Sequence, residues 1–154
     1  MTDELELREL KKTDPIPYDL LLTADPDRRN IDKYIFGPGV YAVYKQEEII
    51  GCYVLCKADA ETIEIKNIAI RTDHQNKGLG TALLNHALLQ ATSGGFRKIT
   101  IGTGNSSIGQ LYLYQKVGFR ITGVLRDFFR ENYEAPIIEN GIECRDMIVL
   151  TKEL

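Results

Sequence analysis

Asn67-Ile68-Ala69-Ile70-Arg71-Thr72-Asp73-His74-Gln75-Asn76-Lys77-Gly78-Leu79-Gly80-Thr81-Ala82-Leu83-Leu84 runs from a short apolar strand through a polar turn into an amphipathic helix. Gly78 and Gly80 have no Cβ, so backbone can approach a bulky ligand there. The unpaired N–H groups of a helix start carry partial positive charge. A phosphate suits such a place, and Lys77, Gln75 and Asn76 add donors beside it. The stretch therefore reads as an anion cradle.

Two familiar phosphate loops are excluded by residue order. Lys77 precedes its glycine and no G-x-x-x-x-G-K-[ST] string is present, so this is not a P-loop. One G-x-G without a third glycine is not a dinucleotide fingerprint. Gly102-Thr103-Gly104 fails in the same way, because Ser107 stands where the third glycine is needed. Gln75 to Gly80 instead resembles the Q/R-x-x-G-x-G/A acyl-CoA loop of the GNAT N-acetyltransferase superfamily. Tyr114-Gln115-Lys116-Val117-Gly118-Phe119 resembles the Y-x-K-x-G-F box that closes that family's second conserved motif. The resemblance covers roughly Glu64 to Phe119, with its parts in the right order.

Bulk composition sets the frame. A chain of 154 residues is expected to be one domain, 1–154, burying about 70% of its unfolded surface in one core. Its acidic start lacks a basic, apolar leader and no run approaches the ~20 apolar residues of a membrane span, so a cytoplasmic protein without membrane contact is expected. Cys52, Cys56 and Cys144 form an odd, unpatterned set that reads as buried thiols. His74 and His86 suggest no metal pair. The net charge of −3 hides an asymmetry. Lys66, Arg71, Lys77, Arg97 and Lys98 face Asp73 alone, whereas Asp127 to Asp146 is acidic. One surface suits an anion and another a cation. Nucleic-acid binding is not expected of an acidic chain whose basic segment is interrupted by a pocket helix.

Along the chain, Leu5 and Leu7 mark a short edge strand. Tyr18 to Thr23 and Asp27 to Phe36 predict two helices, the second capped near Asp25. Val40 to Tyr44 and Ile49 to Cys56 predict a hairpin, and Thr62 to Ile70 a strand buried on both sides. A helix follows Gly78 and ends at Ser93-Gly94-Gly95. Lys98 to Gly102 predicts a buried strand, with a polar helix cap in Thr103 to Ser107, and the next helix ends at Gly118. Phe119 to Leu125 and Ile142 to Leu150 predict two closing strands. Between them lies an acidic loop with Phe128, Phe129, Tyr133 and Pro136, read as a substrate wall or an interface. An edge strand near Ile142 to Leu150 offers itself for pairing in a homodimer.

The resemblance implies an α+β fold, an α/β sandwich whose mixed, mostly antiparallel seven-stranded sheet is flanked by about four helices and splayed to admit acyl-CoA. It implies acetyl-CoA as cosubstrate, with Gln75, Asn76, Lys77, Gly78, Leu79, Gly80 and Thr81 around the diphosphate. Backbone of Ile68, Ala69 and Ile70 would hold pantetheine like an added strand, and Asn105 would bond the cofactor. Glu64 is the implied general base. Tyr114, by its place in the box, is the implied general acid, while counting forward from Asn105 favours Tyr112. Cys52 and Cys56 have no basic neighbours to make them nucleophiles. The activity so implied is acetyl transfer to a primary amine of a small cationic substrate. A protein N-terminal or lysine acetyltransferase and a non-catalytic acyl-CoA sensor are the alternatives.

Overall fold

The computed structural model describes residues 4–154. Seven strands form one sheet in the order β1-β2-β3-β4-β5-β9-β6. They are β1 (Leu5–Glu9), β2 (Val40–Lys45), β3 (Glu48–Lys57), β4 (Thr62–Ile70), β5 (Lys98–Gly104), β6 (Arg120–Leu125) and β9 (Met147–Glu153). Only β4 and β5 run parallel; every other pairing is antiparallel. The helices are α1 (Tyr18–Ala24), α2 (Arg28–Ile31), α3 (Leu79–Ser93), α4 (Ile108–Val117) and α5 (Phe128–Asn132), with a 3-10 turn at Thr72–His74. A small hairpin pairs β7 (Ile138–Glu139) with β8 (Ile142–Glu143).

Alternation along the strands divides the core between the two sheet faces. Val43, Tyr53, Ile63, Ile65 and Ile99 join Leu83, Leu84 and Ala87 of α3 and Tyr114 of α4. On the other face Ala42, Cys52, Val54 and Ala69 join Leu20, Leu21 and Ile31 of the α1–α2 insert. The β4 register shifts between Val54 and Leu55 of its partner, so Lys66 is an extra residue opposite β3. This bulge changes the phase of alternation: Ile63 and Ile65 pack under α3, but Asn67 and Ala69 face the insert.

Several element boundaries differ from the sequence expectation. The second helix stops at Ile31, and its cap is Asp27, whose carboxylate accepts from the Arg29 amide at 2.9 Å. Asp25 is drawn inward by other partners. The polar run before α4 supplies no side-chain cap; Ser107 Oγ donates to Glu139 at 2.5 Å instead. Ile142 to Leu150 is not one strand. Ile142 and Glu143 turn back on β7, and β9 begins at Met147. Nor is β9 an edge, since it lies between β5 and β6, and β6 is the outer strand.

Candidate active site

α3 opens on Gly78, which is left-handed at φ 84°, after Asn76 at φ 60°. The two glycines serve different ends. A Cβ on Gly78 would meet nothing within 4 Å, so glycine is needed there for its backbone angle. A Cβ on Gly80 would lie 2.9 Å from Leu113 Cδ2 and 3.5 Å from Ile70 Cδ1, so that glycine lets α3 close on α4 and β4. The close approach expected toward a ligand is, at Gly80, an approach to protein. Ala82 is the first residue whose amide closes a helical bond, to the Gly78 carbonyl at 3.1 Å. Leu79, Gly80 and Thr81 therefore present amides without intrahelical partners, and no side chain caps them. Gln75 Nε2 donates to the Ile70 carbonyl at 3.0 Å, fixing the loop against the end of β4.

Beside this helix mouth the sheet parts. β4 and β5 pair from Thr62↔Lys98 to Ile65↔Ile101 and no further. Beyond that point β5 stays with β9, while Asn67 to Ile70 remain bonded to β3. The β5-facing edge of β4 over Ile68, Ala69 and Ile70 thus has no strand beside it, and an extended ligand backbone fits such an edge.

Of the two tyrosines, Tyr114 points inward and Tyr112 outward. Tyr114 is 4% exposed and packs on Phe119 with ring centroids 6.3 Å apart. Burial, then the nearby Glu139 charge, push its phenol well above the ordinary value. Tyr112 is 66% exposed with Lys116 over its ring. Asn105 spends its side chain on the acidic segment. Its oxygen accepts from the amides of Arg145 at 2.8 Å and Asp146 at 3.0 Å, and its nitrogen donates to the Glu143 carbonyl at 3.1 Å. Glu139, which no sequence pattern marks, reaches from β7 to the start of α4.

On the insert face, Glu64 stands opposite Cys56 and pairs with Lys66 Nζ at 3.1 Å. The thiols are poorly suited to attack. Burial pushes Cys52 up to about 12 and also raises Cys56 and Cys144. His86 Nδ1 lies 2.6 Å from the Tyr53 hydroxyl, and burial lowers its pKa. His74 meets Asp73 at 3.0 Å. No group of three or more His, Cys, Asp or Glu gathers as metal ligands among the described residues.

Packing also redistributes the charges counted along the sequence. Arg71 pairs with Asp19 and Glu48, Lys66 with Glu64, and Arg97 with Glu61. Lys77, at the helix mouth, has no acidic partner among the described residues. In the acidic segment Arg130 holds Glu143 through two bonds, at 2.6 and 2.9 Å, and Arg145 holds Asp127. No described helix is long and apolar enough to cross a membrane.

Known proteins resemble this chain in sequence and fold. The model of the acetyltransferase (GNAT) family matches residues 5–119. An uncharacterized N-acetyltransferase of Bacillus subtilis, YvbK, is 47% identical over 137 residues, 89% of this chain and 88% of its own. A GNAT family acetyltransferase from Elizabethkingia anophelis, solved with acetyl-CoA bound, is 53% identical with a TM-score of 0.96, covering 99% of this chain and 100% of that one. A Bacillus subtilis acetyltransferase in complex with CoA is 44% identical with a TM-score of 0.92, covering 98% and 99%.

Proposed function

The chain belongs to the GNAT family of acetyl-CoA-dependent acetyltransferases, and on that premise we propose that it moves the acetyl group directly to a primary amine of a small, cationic substrate. The observation that carries this reading is the coincidence of two features. An uncapped helix start lies beside the point where β4 and β5 separate. The amides of Leu79, Gly80 and Thr81, with Lys77, would hold the diphosphate, and the open edge of β4 at Ile68 to Ile70 would hold pantetheine.

The bound thioester supplies an activated acyl carbon, and the chain supplies proton transfers and alignment. An unperturbed amine of pKa about 10.4 costs about 4.6 kcal/mol to present as free base at neutral pH. Glu64 would take that proton. β4 amides near Ile68 would stabilise the oxyanion, and Tyr114 would donate toward the departing sulfur. Burial favours a protonated Tyr114, the form that a donor needs. With Cys52 raised to about 12, an acyl-thiol intermediate has little support.

Calorimetry with CoA, followed by release of CoA thiol from acetyl-CoA with a panel of primary amines, tests the reading. Micromolar uptake with release by at least one amine is expected. Uptake without release from any amine would favour a sensor, and absence of uptake would refute the site.

A further inference from the structure

Asn67 Oδ1 is the one buried side-chain nitrogen or oxygen without a hydrogen-bond partner among the described residues. Asn67 is 4% exposed. Its orientation is fixed by chemistry. Nδ2 donates to the Leu21 carbonyl and to the Tyr34 hydroxyl, both at 3.1 Å. A backbone carbonyl can only accept, so turning the amide over would set oxygen against oxygen. A buried carbonyl oxygen left unanswered costs its full desolvation penalty, which a donor from a ligand would recover.

The surroundings specify that donor. The Tyr34 hydroxyl donates a hydrogen bond to Asp25 at 3.1 Å, and Asp25 also accepts from Asn30 at 2.6 Å, Tyr133 at 2.9 Å and the Asp27 amide at 3.2 Å. Asp25 is 7% exposed. All four donors are neutral, and no lysine or arginine pairs with this carboxylate among the described residues. A free carbonyl oxygen in the field of an unbalanced negative charge favours a cationic N–H donor.

The β4 bulge adds the base. Residues three apart on an unbroken strand face opposite sides. With Lys66 as the extra residue, Glu64 and Asn67 face the same side: Glu64 is the cross-strand neighbour of Cys56, which packs on the α1–α2 core, and Asn67 bonds into that insert.

We propose that the substrate amine sits between these two side chains, donating one N–H to Asn67 Oδ1 while Glu64 takes another proton, so that Asn67 selects amines that carry N–H groups. The inference deepens the transfer reading above and rests on it. The balance is complete for a primary ammonium. One proton goes to the Glu64 carboxylate and the freed lone pair forms the C–N bond as the C–S bond breaks. A second proton reaches the sulfur, and the third remains on the amide nitrogen, held by Asn67.

The test uses the folded wild-type protein saturated with CoA and titrated with n-butylammonium or n-butyltrimethylammonium chloride. The two ions share one charge, but only the first has N–H groups. The primary ion is expected to bind at least about tenfold tighter. Asn67→Leu should lower that ratio at least about threefold, Glu64 keeping the remainder, without changing CoA affinity. Equal affinities in the wild type, uptake of neither ion, or a ratio that falls by less than this in folded Asn67→Leu would each overturn the proposal. Thiol release with the amine panel reports separately on transfer itself, so release by primary amines alongside equal affinities would sink this inference alone.

Discussion

At the start of α3 three successive amides and Lys77 face outward without protein partners, whereas the segment from Asp127 to Asp146 answers most of its charges from within. Both regions are polar and both flank the cleft. They differ in what their hydrogen-bonding capacity is for. The segment uses it to hold an irregular chain in one shape, through the Asn105, Arg130 and Arg145 contacts together with Glu139 on Ser107 and Tyr133 on Asp25. The helix mouth leaves its donors without protein partners, open to water or to an anion. Sequence charge cannot make this distinction, because it records acids and bases without their partners.

The sharpest way to break the contrast is Gly80→Trp. A side chain there collides with Leu113 and displaces the helix start, so CoA affinity in calorimetry should fall at least about a hundredfold. The melting temperature should fall with it, because the same contact joins α3 to α4. Next comes Tyr114→Phe, which should lower kcat about a hundredfold with little change in the KM for acetyl-CoA; Tyr112→Phe should alter neither. Reversal of that pair would exchange their roles.

Asn105→Ala asks to which region this residue belongs. Three hydrogen bonds to residues 143–146 predict a loss of about 2 kcal/mol in denaturant unfolding, with CoA affinity nearly unchanged. A weakened cofactor with intact stability would move Asn105 to the ligand side. The smallest effect is acid sensitivity. The Arg130 contacts hold Glu143 below the usual carboxylate range, and Arg145 does the same for Asp127. Their unfolded forms therefore take up protons first. Their contribution is complete above a pH of about 4.3 and disappears as pH falls through the lower folded values. Arg130→Ala should flatten that part of a melting-temperature profile.

The strand from Thr62 to Ile70 and the helix ending at Ser93 were legible because apolar periodicity and glycine punctuation are local signals. The glycine turn into α3 was legible for the same reason, as a short ordered string. What escaped depends on distant partners. Arg145 and Asp146 look like strand residues until Asn105 takes their amides. Asp25 reads as a helix cap until two tyrosines and an asparagine converge on it. Asn67 resembles any polar residue in a strand, and the bulge that aims it carries no composition of its own. The single-strand reading of Ile142 to Leu150 failed because alternation cannot register a two-residue turn-back.

Among the described residues the ladder between β4 and β5 has only four residue pairs, Thr62↔Lys98 to Ile65↔Ile101, and it is where the two halves of the sheet meet strand to strand. So short a seam makes it the natural line of local opening, where amide protons would exchange ahead of those in neighbouring ladders. A molecule wedged into the fork above it and gripped by the helix mouth would act as a splint. Its binding energy would add to the cohesion of the two halves, so the melting temperature would rise with the concentration of the bound molecule.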